Sequence, residues 1–457
     1  MTYPRRPLFA PHGAVATSHP LATAAGLAVL RRGGNAVDAA LATAITLTVV
    51  QPPSNDIGGD LFAIVWDGQR LHGLNAFGRS PAALTRDGVL AATGGWGAEP
   101  VDALGGSQAR GPAMPARGWL PVTVPGVPAG WRDLHDRFGS LPFAELFTDA
   151  VGYAEHGHPV STGTAMAWAR ATAGHAGLTG PEYAEFARVF APAGRVPRPG
   201  ERWRNPDAAR TLRLIAQSGA EEFYRGRIAA ALADHAARTG GLLTPDHLAS
   251  RRSSITEDAA DPDAGVPERG GTVYLCTADA DGMMVSLIQS TYLAFGSHVV
   301  LPGHGFALQN RGLGFRLDAD HPNVVGPAKR PYHTIIPGFL TRDGASVGPF
   351  GVMGGHMQPQ GHVQLISATV DGGLDPQAAL DAPRWYWHAG RSLLVEEHLA
   401  AGPGGAEPIA DLRARGHRVT VADEPAVFGY GQAIWRRPDG GYVAGSESRV
   451  DGAAGGF

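Results

Sequence analysis

A hydroxyl becomes a useful nucleophile only with a base in hydrogen-bond reach, and an N-terminal threonine carries that base on its own residue. Thr272 opens the run "TVYLCTADADGMMVSLIQS" directly behind Gly270 and Gly271. If the chain is cut between Gly271 and Thr272, the freed α-amine has an unperturbed pKa of about 8, close to operating pH. Glycine before the threonine permits the strained backbone that attack on the preceding carbonyl requires. The competing reading is plain β-propensity, which also places threonine at the start of a strand.

A second group could stabilise the charge such an attack creates. "GVMGGHMQPQG" places Gly354 and Gly355 after a strand-like run, and two unshielded amides there suit an oxyanion hole. A tight turn is the alternative. A phosphate loop fits poorly, since neither GxGxxG nor Gly-Lys-Ser/Thr is present. Ser290, Tyr292, Asn310, His333 and Thr334 are polar candidates for orienting the nucleophile or binding substrate, each readable as structural instead. Cys276 stands alone in an apolar run, which excludes an internal disulfide and a cysteine metal cluster and fits a structural thiol. The 18 histidines are scattered and "HGH" at 156–158 has no carboxylate pair at ligand spacing, so no metal and no cofactor are expected.

These residues need elements to position them. "ATSHPLATAAGLAVLRRGGNAVDAALATAITLTVVQPP" predicts two helices, the first started by His19 and Pro20 and ended at Gly33-Gly34, the second capped by Asn35 and rich in alanine for close packing. Hairpins are expected around Asp67-Gly68 and Asp281-Gly282. Residues 103–250 read as mostly helical, and 251–271, polar and aperiodic, as an exposed linker. Further strand-like runs are "YHTIIPGFLTRDGASVGPFG", "HVQLISATVDGG" and "YGQAIWRRPDGGYVAG", with helices at "DPQAALDAPRW" and "EPIADLRARG". A helix-rich half leading into a half with antiparallel hairpins predicts an α+β fold of helices on sheet layers.

The 457 residues suffice for one large or two ordinary domains with their own core. Gly (64) and Pro (36) demand much loop and turn. A net charge of -4 without a long basic run argues against a nucleic-acid partner. No apolar run reaches membrane-spanning length and the N-terminus lacks a signal-type h-region, so a cytoplasmic protein away from membranes is expected.

Several stretches together resemble the γ-glutamyltransferase family of N-terminal-nucleophile (Ntn) hydrolases over nearly the whole chain. They are "RRGGNAVDAALA" (31–42), "QPPSNDIGGDLF" (51–62), "TVPGVPAGW" (123–131), 272–290, "FGSHVVLPGHGFALQN" (295–310), "GPAKRPYHTIIP" (326–337) and "GVMGG" (351–355). The resemblance implies a four-layer αββα sandwich and self-cleavage at Gly271–Thr272. It also implies a large subunit of 1–271, with 251–271 as the linker, and a small catalytic subunit of 272–457 that stays associated with it. It assigns Thr272 as nucleophile, Ser290 as its assistant, and Gly354 and Gly355 as oxyanion hole, without a cofactor.

Substrate positions depart from the glutathione-type enzymes. Their carboxylate-binding arginine falls on Phe77, with Arg79 two residues on; their ammonium-binding pair falls on Tyr292 and Gly314; their serine pair falls on His333 and Thr334. The pattern resembles the divergent branch of oxamate amidohydrolases and cephalosporin and glutaryl acylases. That implies a small amide substrate, with Arg79, Tyr292, Asn310, His333 and Thr334 binding it and Arg79 pairing a carboxylate. Some hundred residues that the family carries before the nucleophile have no counterpart here, so the large subunit is expected to be short. Three readings stay open: an autoprocessed amidohydrolase or acylase, a glutathione hydrolase or γ-glutamyltransferase, and an uncleaved non-catalytic relative. A homodimer of subunit pairs is a further possibility.

Overall fold

The computed structural model describes residues 5–94, 113–250, 254–257, 271–402, 405–422 and 424–457. The first helix spans Pro20–Arg31, its Leu21 amide capped by the His19 ring, and Gly33 turns the chain at φ +91°. The second, Ala36–Val50, starts at a capping box in which Asn35 and Asp38 satisfy each other's backbone amides. Every residue of this second helix is buried, as its apolar circumference requires. A Cβ on Gly26 would stand 2.3 Å from Thr43 Oγ1, so the helices approach as closely as small residues allow.

That pair covers one face of a fully antiparallel seven-stranded sheet. In order its strands are Ala453–Gly456, Ala14–Thr17, Gly271–Ala278, Met284–Tyr292, Asp60–Trp66, Leu71–Ala76 and Ser254–Glu257. Val273, Leu275, Val285 and Leu287 point toward the helices. Tyr274, Cys276, Met284 and Ile288, on the alternate positions, meet Met353, Ile434, Tyr442 and Ala444 of a second sheet. This five-stranded antiparallel sheet runs Leu8–Ala10, Tyr442–Ser446, Tyr430–Arg436, Ala345–Met353, Gly338–Arg342. Its outer face is covered by helices Met357–Val370 and Pro376–Asp381 through Phe350, Val352, Leu365, Leu380 and Trp435. The layers therefore run helix, sheet, sheet, helix. A three-stranded sheet, Trp385–Ala389, Ser392–Glu396 and Arg418–Ala422, flanks them.

Two expectations need correction. "HVQLISATVDGG" lies in the Met357–Val370 helix, because Met357, Gln358, Gly361 and Leu365 are buried at helical spacing and that face is what the outer sheet covers. The expected linker is not wholly without structure: Ser254–Glu257 pairs as an edge strand with Leu71–Ala76, while 251–253 and 258–270, including Gly270, lie outside the described residues. Both sheets mix strands from before and after Thr272. Among the described residues the other expected helices and hairpins form as read, the expected helical stretch at 103–112 lying outside them, and Cys276 is buried with its thiol pushed up by desolvation, which keeps it unreactive.

The sheet–sheet contact depends on Gly351, where a Cβ would sit 2.6 Å from the Tyr274 ring. Gly351→Ala is expected to destabilise by about 1–3 kcal/mol through overpacking. Gly152→Ala, in a helix where the added Cβ meets nothing within 4 Å, should be neutral or stabilising. Thermal unfolding of the two variants checks this.

Candidate active site

Thr272 sits on the last rung of the central hairpin, at a break in register. Gly271 opposes Tyr292 while Thr272 opposes Ser290, so Thr291 is the extra residue of a bulge. The bulge holds Tyr292 at φ +75°, a left-handed conformation that a bulky side chain adopts only under constraint. Gly271 is sterically required: a Cβ there would meet Pro53 O at 2.9 Å and Ala294 at 3.1 Å. Asp60 opposes Ser290 on the next strand. Residues directly opposed share a face, so Thr272, Ser290 and Asp60 form one polar row at the end of the sheet. The next row inward, Tyr274, Ile288 and Phe62, is apolar core.

Ser290 is the hub of this row. Its Oγ is 2.9 Å from Thr272 Oγ1 and 2.7 Å from the carbonyl oxygen of Gly271. It accepts from the Tyr292 amide at 2.8 Å and from Arg311 Nη2 at 3.2 Å. Two donors fill its acceptor positions, so its single proton is directed at Gly271 O or Thr272 Oγ1.

Arg311 is fully buried in the 3₁₀ turn Arg311–Gly314. Its Nη1 donates to Thr334 Oγ1 at 3.0 Å, and its guanidinium lies 4.1 Å over the Tyr292 ring. Burial pulls its pKa down to about 10, against the opposing pull of Asp60, so it stays charged at neutral pH. Asp60 lies 3.7 Å from Arg311 Nε, an offset ion pair. Asp60 Oδ1 accepts from Gln309 Nε2 at 2.8 Å, and Oδ2 is 3.3 Å from His333 Nε2. His333 Nδ1 accepts from the Ile335 amide at 3.3 Å, which assigns the proton to Nε2. Desolvation, reinforced by Arg311, holds the His333 pKa well below the usual imidazole range. Its ring packs between Phe62 and Phe77, with centroids at 4.5 and 4.8 Å.

The structure thus gathers Thr272, Ser290, Tyr292, His333 and Thr334 into one network. It does not bring in Arg79, which is exposed and donates to Ala328 O at 2.9 Å. Asn310 is occupied elsewhere: Oδ1 takes the Leu293 amide and Nδ2 gives to Ala116 O, so its side chain braces loops. Gly354 (φ +148°) and Gly355 (φ +62°) both need glycine geometry and lie just past Met353, which shares the intersheet core with Tyr274 and Ile288. A cavity of about 740 Å³ lies elsewhere, against the three-stranded sheet, lined among others by Trp385, Leu393 and Leu412. Sequence reasoning missed Arg311 and Asp60. Their signal was a lone charge inside an otherwise uncharged run, "FALQNRGLGF", and a carboxylate opening an apolar strand, "DLFAIVW".

Residues 22–259 and 241–457 match the family described as gamma-glutamyltranspeptidase. The chain belongs to that family. Among gamma-glutamyltranspeptidase relatives, the oxamate amidohydrolase proenzyme of Klebsiella pneumoniae subsp. pneumoniae is 30% identical over 550 residues covering 98% of both chains. Acylase ACY 1 proenzyme of a Pseudomonas sp. is 27% identical, covering 99% of this chain and 94% of its own. The crystal structure of cephalosporin acylase from Bacillus halodurans matches with TM-score 0.91 and 39% identity, over 100% of this chain and 98% of that one. The 550-residue span with the Klebsiella protein exceeds this chain's 457 residues, so that alignment opens gaps in this member of the family.

The neutral His333 sets a pH dependence. Unfolded, its imidazole gains a proton as pH falls through 6.5, whereas the folded ring, with its lowered pKa, does not. The unfolded state then binds more protons, and the contribution of His333 to stability falls as pH drops below that value. In denaturant titrations from pH 8 to pH 5, the stability advantage of wild type over His333→Gln should shrink toward acid.

Proposed function

We propose that this gamma-glutamyltranspeptidase family member is an Ntn-type amidohydrolase or acylase, with a four-layer αββα fold and a shortened large subunit. It cuts itself at Gly271–Thr272 and hydrolyses a small amide through an acyl-enzyme. The observation that carries the reading is the shared Ser290 hydroxyl, 2.7 Å from the Gly271 carbonyl oxygen and 2.9 Å from the Thr272 hydroxyl. In the continuous chain that hydroxyl polarises the carbonyl that Thr272 Oγ1 attacks. The C–N bond breaks as an ester forms, the proton passes to the departing nitrogen, and water releases the ester. The departing nitrogen is the α-amine of Thr272 itself.

After cleavage the Ser290 proton turns to Thr272 Oγ1, and the new α-amine serves as general base. Thr272 Oγ1 attacks the substrate carbonyl and its proton goes to the α-amine, then to the leaving nitrogen. The amides of Gly354 and Gly355 receive the oxyanion. Water adds to the acyl-threonine, giving the free acid and restoring the hydroxyl. Fragments 1–271 and 272–457 stay together because the seven-stranded sheet interleaves them: the strand starting at Gly271 pairs with Ala14–Thr17, and Met284–Tyr292 with Asp60–Trp66.

The names of the relatives, oxamate amidohydrolase and acylases, support hydrolysis of an amide. A γ-glutamyl donor is less well supported, since Phe77 packs on His333 and Arg79 is bonded away at Ala328. Intact mass and N-terminal sequencing test the reading. Purified protein should yield two fragments with Thr272 as a new N-terminus, Thr272→Ala should remain full length, and Ser290→Ala should slow cleavage by about 100-fold or more. Full-length wild type after prolonged incubation would contradict it.

A further inference from the structure

Resting on the reading above, we infer that Arg311 is the positioning residue of self-cleavage. It fixes Ser290 as a pure donor, which meets the charge formed on the Gly271 carbonyl oxygen and is never the base for Thr272. Four groups lie within hydrogen-bond distance of Ser290 Oγ, and the roles of three are set by their chemistry. The Tyr292 amide at 2.8 Å and Arg311 Nη2 at 3.2 Å can only donate, while Gly271 O at 2.7 Å can only accept. A hydroxyl has two acceptor positions and one proton. Both positions are therefore filled and the proton goes to Gly271 O. The fourth neighbour, Thr272 Oγ1 at 2.9 Å, has no place on Ser290 for its own proton.

Of the two donors to Ser290, Arg311 is the one that brings charge. Its guanidinium is held from three sides: Nη1 donates to Thr334 Oγ1 at 3.0 Å, the Tyr292 ring lies 4.1 Å beneath it, and the Asp60 carboxylate stands 3.7 Å from Nε. A cation donating to a hydroxyl polarises its O–H bond, and in this fully buried row water does not screen the effect. As Thr272 Oγ1 attacks the Gly271 carbonyl carbon, an electron pair moves onto Gly271 O, where the polarised Ser290 proton meets it. The C–N bond then breaks and the Thr272 hydroxyl proton goes to the departing nitrogen, which leaves the Gly271 ester of Thr272 and a free α-amine. Without Arg311, one acceptor position on Ser290 opens. The Thr272 proton can enter it, and the hydroxyl that should attack becomes a donor to Ser290 instead.

A residue that acts through Ser290 should matter only while Ser290 is present. A double-mutant cycle on the full-length chain, made by cell-free translation and sampled over time on denaturing gels, reads this. Arg311→Gln should slow self-cleavage by about 10- to 100-fold, the range for a hydrogen bond to a charged group. Added to Ser290→Ala, which is already slow, the same change should alter the rate by no more than about twofold. Equal slowing in both backgrounds, the result for a residue that only supports the fold, overturns the inference, as does a wild-type rate in Arg311→Gln. Should Arg311→Gln fail to fold because Asp60 loses its counter-charge, Asp60→Asn/Arg311→Gln takes its place in the cycle and removes both charges. If that chain also fails, a crystal structure of the uncut Thr272→Ala protein decides. Arg311 Nη2 and Gly271 O both bonded to Ser290 Oγ supports the inference, and a guanidinium turned away from Ser290 overturns it. Each of these results leaves self-cleavage standing, whereas a wild-type chain that stays whole overturns the function itself, and the inference with it.

Discussion

The register of the central hairpin, and the single slip that ends it, set the geometry around Thr272. The regular ladder opposes Thr272 to Ser290 and Ser290 to Asp60, which puts all three on one face, and one step further on, where Gly271 opposes Tyr292, it accommodates one extra residue. The strain is visible in the left-handed Tyr292 and is supported by its surroundings: the Tyr292 amide is bonded to Ser290, its ring lies beneath Arg311, and Gly271 leaves the room that Pro53 and Ala294 demand. The slip lies one step beyond the polar rung: Thr272–Ser290 continues the register of Val273–Gln289, which keeps the two hydroxyls on one face, and the bulge reshapes the chain at Gly271 and Tyr292.

Polarity at the end of an apolar sandwich needs compensation. Immediately inward of the polar row, Tyr274, Ile288 and Phe62 exclude water, so each charge at the edge is felt in a medium of low dielectric. The charges present are few: Arg311 and Asp60, with His333 kept neutral between two phenylalanines. Removing one member of such a pair leaves the other uncompensated, typically at about 3–5 kcal/mol, which is why the network is closed by Gln309 and Thr334 rather than left to solvent.

Much of this was legible in the sequence, and for physical reasons. Thr272 behind Gly271, the Asp281-Gly282 turn, the Asn35 cap and the Gly354-Gly355 pair are local signals whose conformational needs are met within a few residues. Arg79 illustrates the opposite: it stands two positions beyond Phe77, yet faces solvent, because the strand Leu71–Ala76 has already ended and the chain is tied to Ala328. The polar row around Thr272 instead recruits Arg311, which no local pattern ties to Thr272, and Asp60, aligned only by strand pairing. Asn310, adjacent to Arg311, is drawn into bracing Leu293 and Ala116. "HVQLISATVDGG" was misread for a related reason: its β-branched content favours a strand, and only the covering of the outer sheet selects the helix.

Chain interleaving lets one backbone bond be both the last constraint on the nucleophile and dispensable to the fold. The seven-stranded sheet interleaves strands from either side of Gly271–Thr272, so a cut there would free an amine without freeing a domain. The central claim is that Thr272, with that free amine, is the residue acylated by substrate. The most direct measurement is rapid acid quench of the enzyme during turnover of a slowly deacylated acyl anilide, followed by peptide mapping with mass spectrometry. The account predicts the acyl mass as an ester on Thr272 Oγ1, in a peptide whose N-terminus is Thr272 itself. An acyl adduct on any other residue, or on Thr272 within an uncleaved chain, would contradict it.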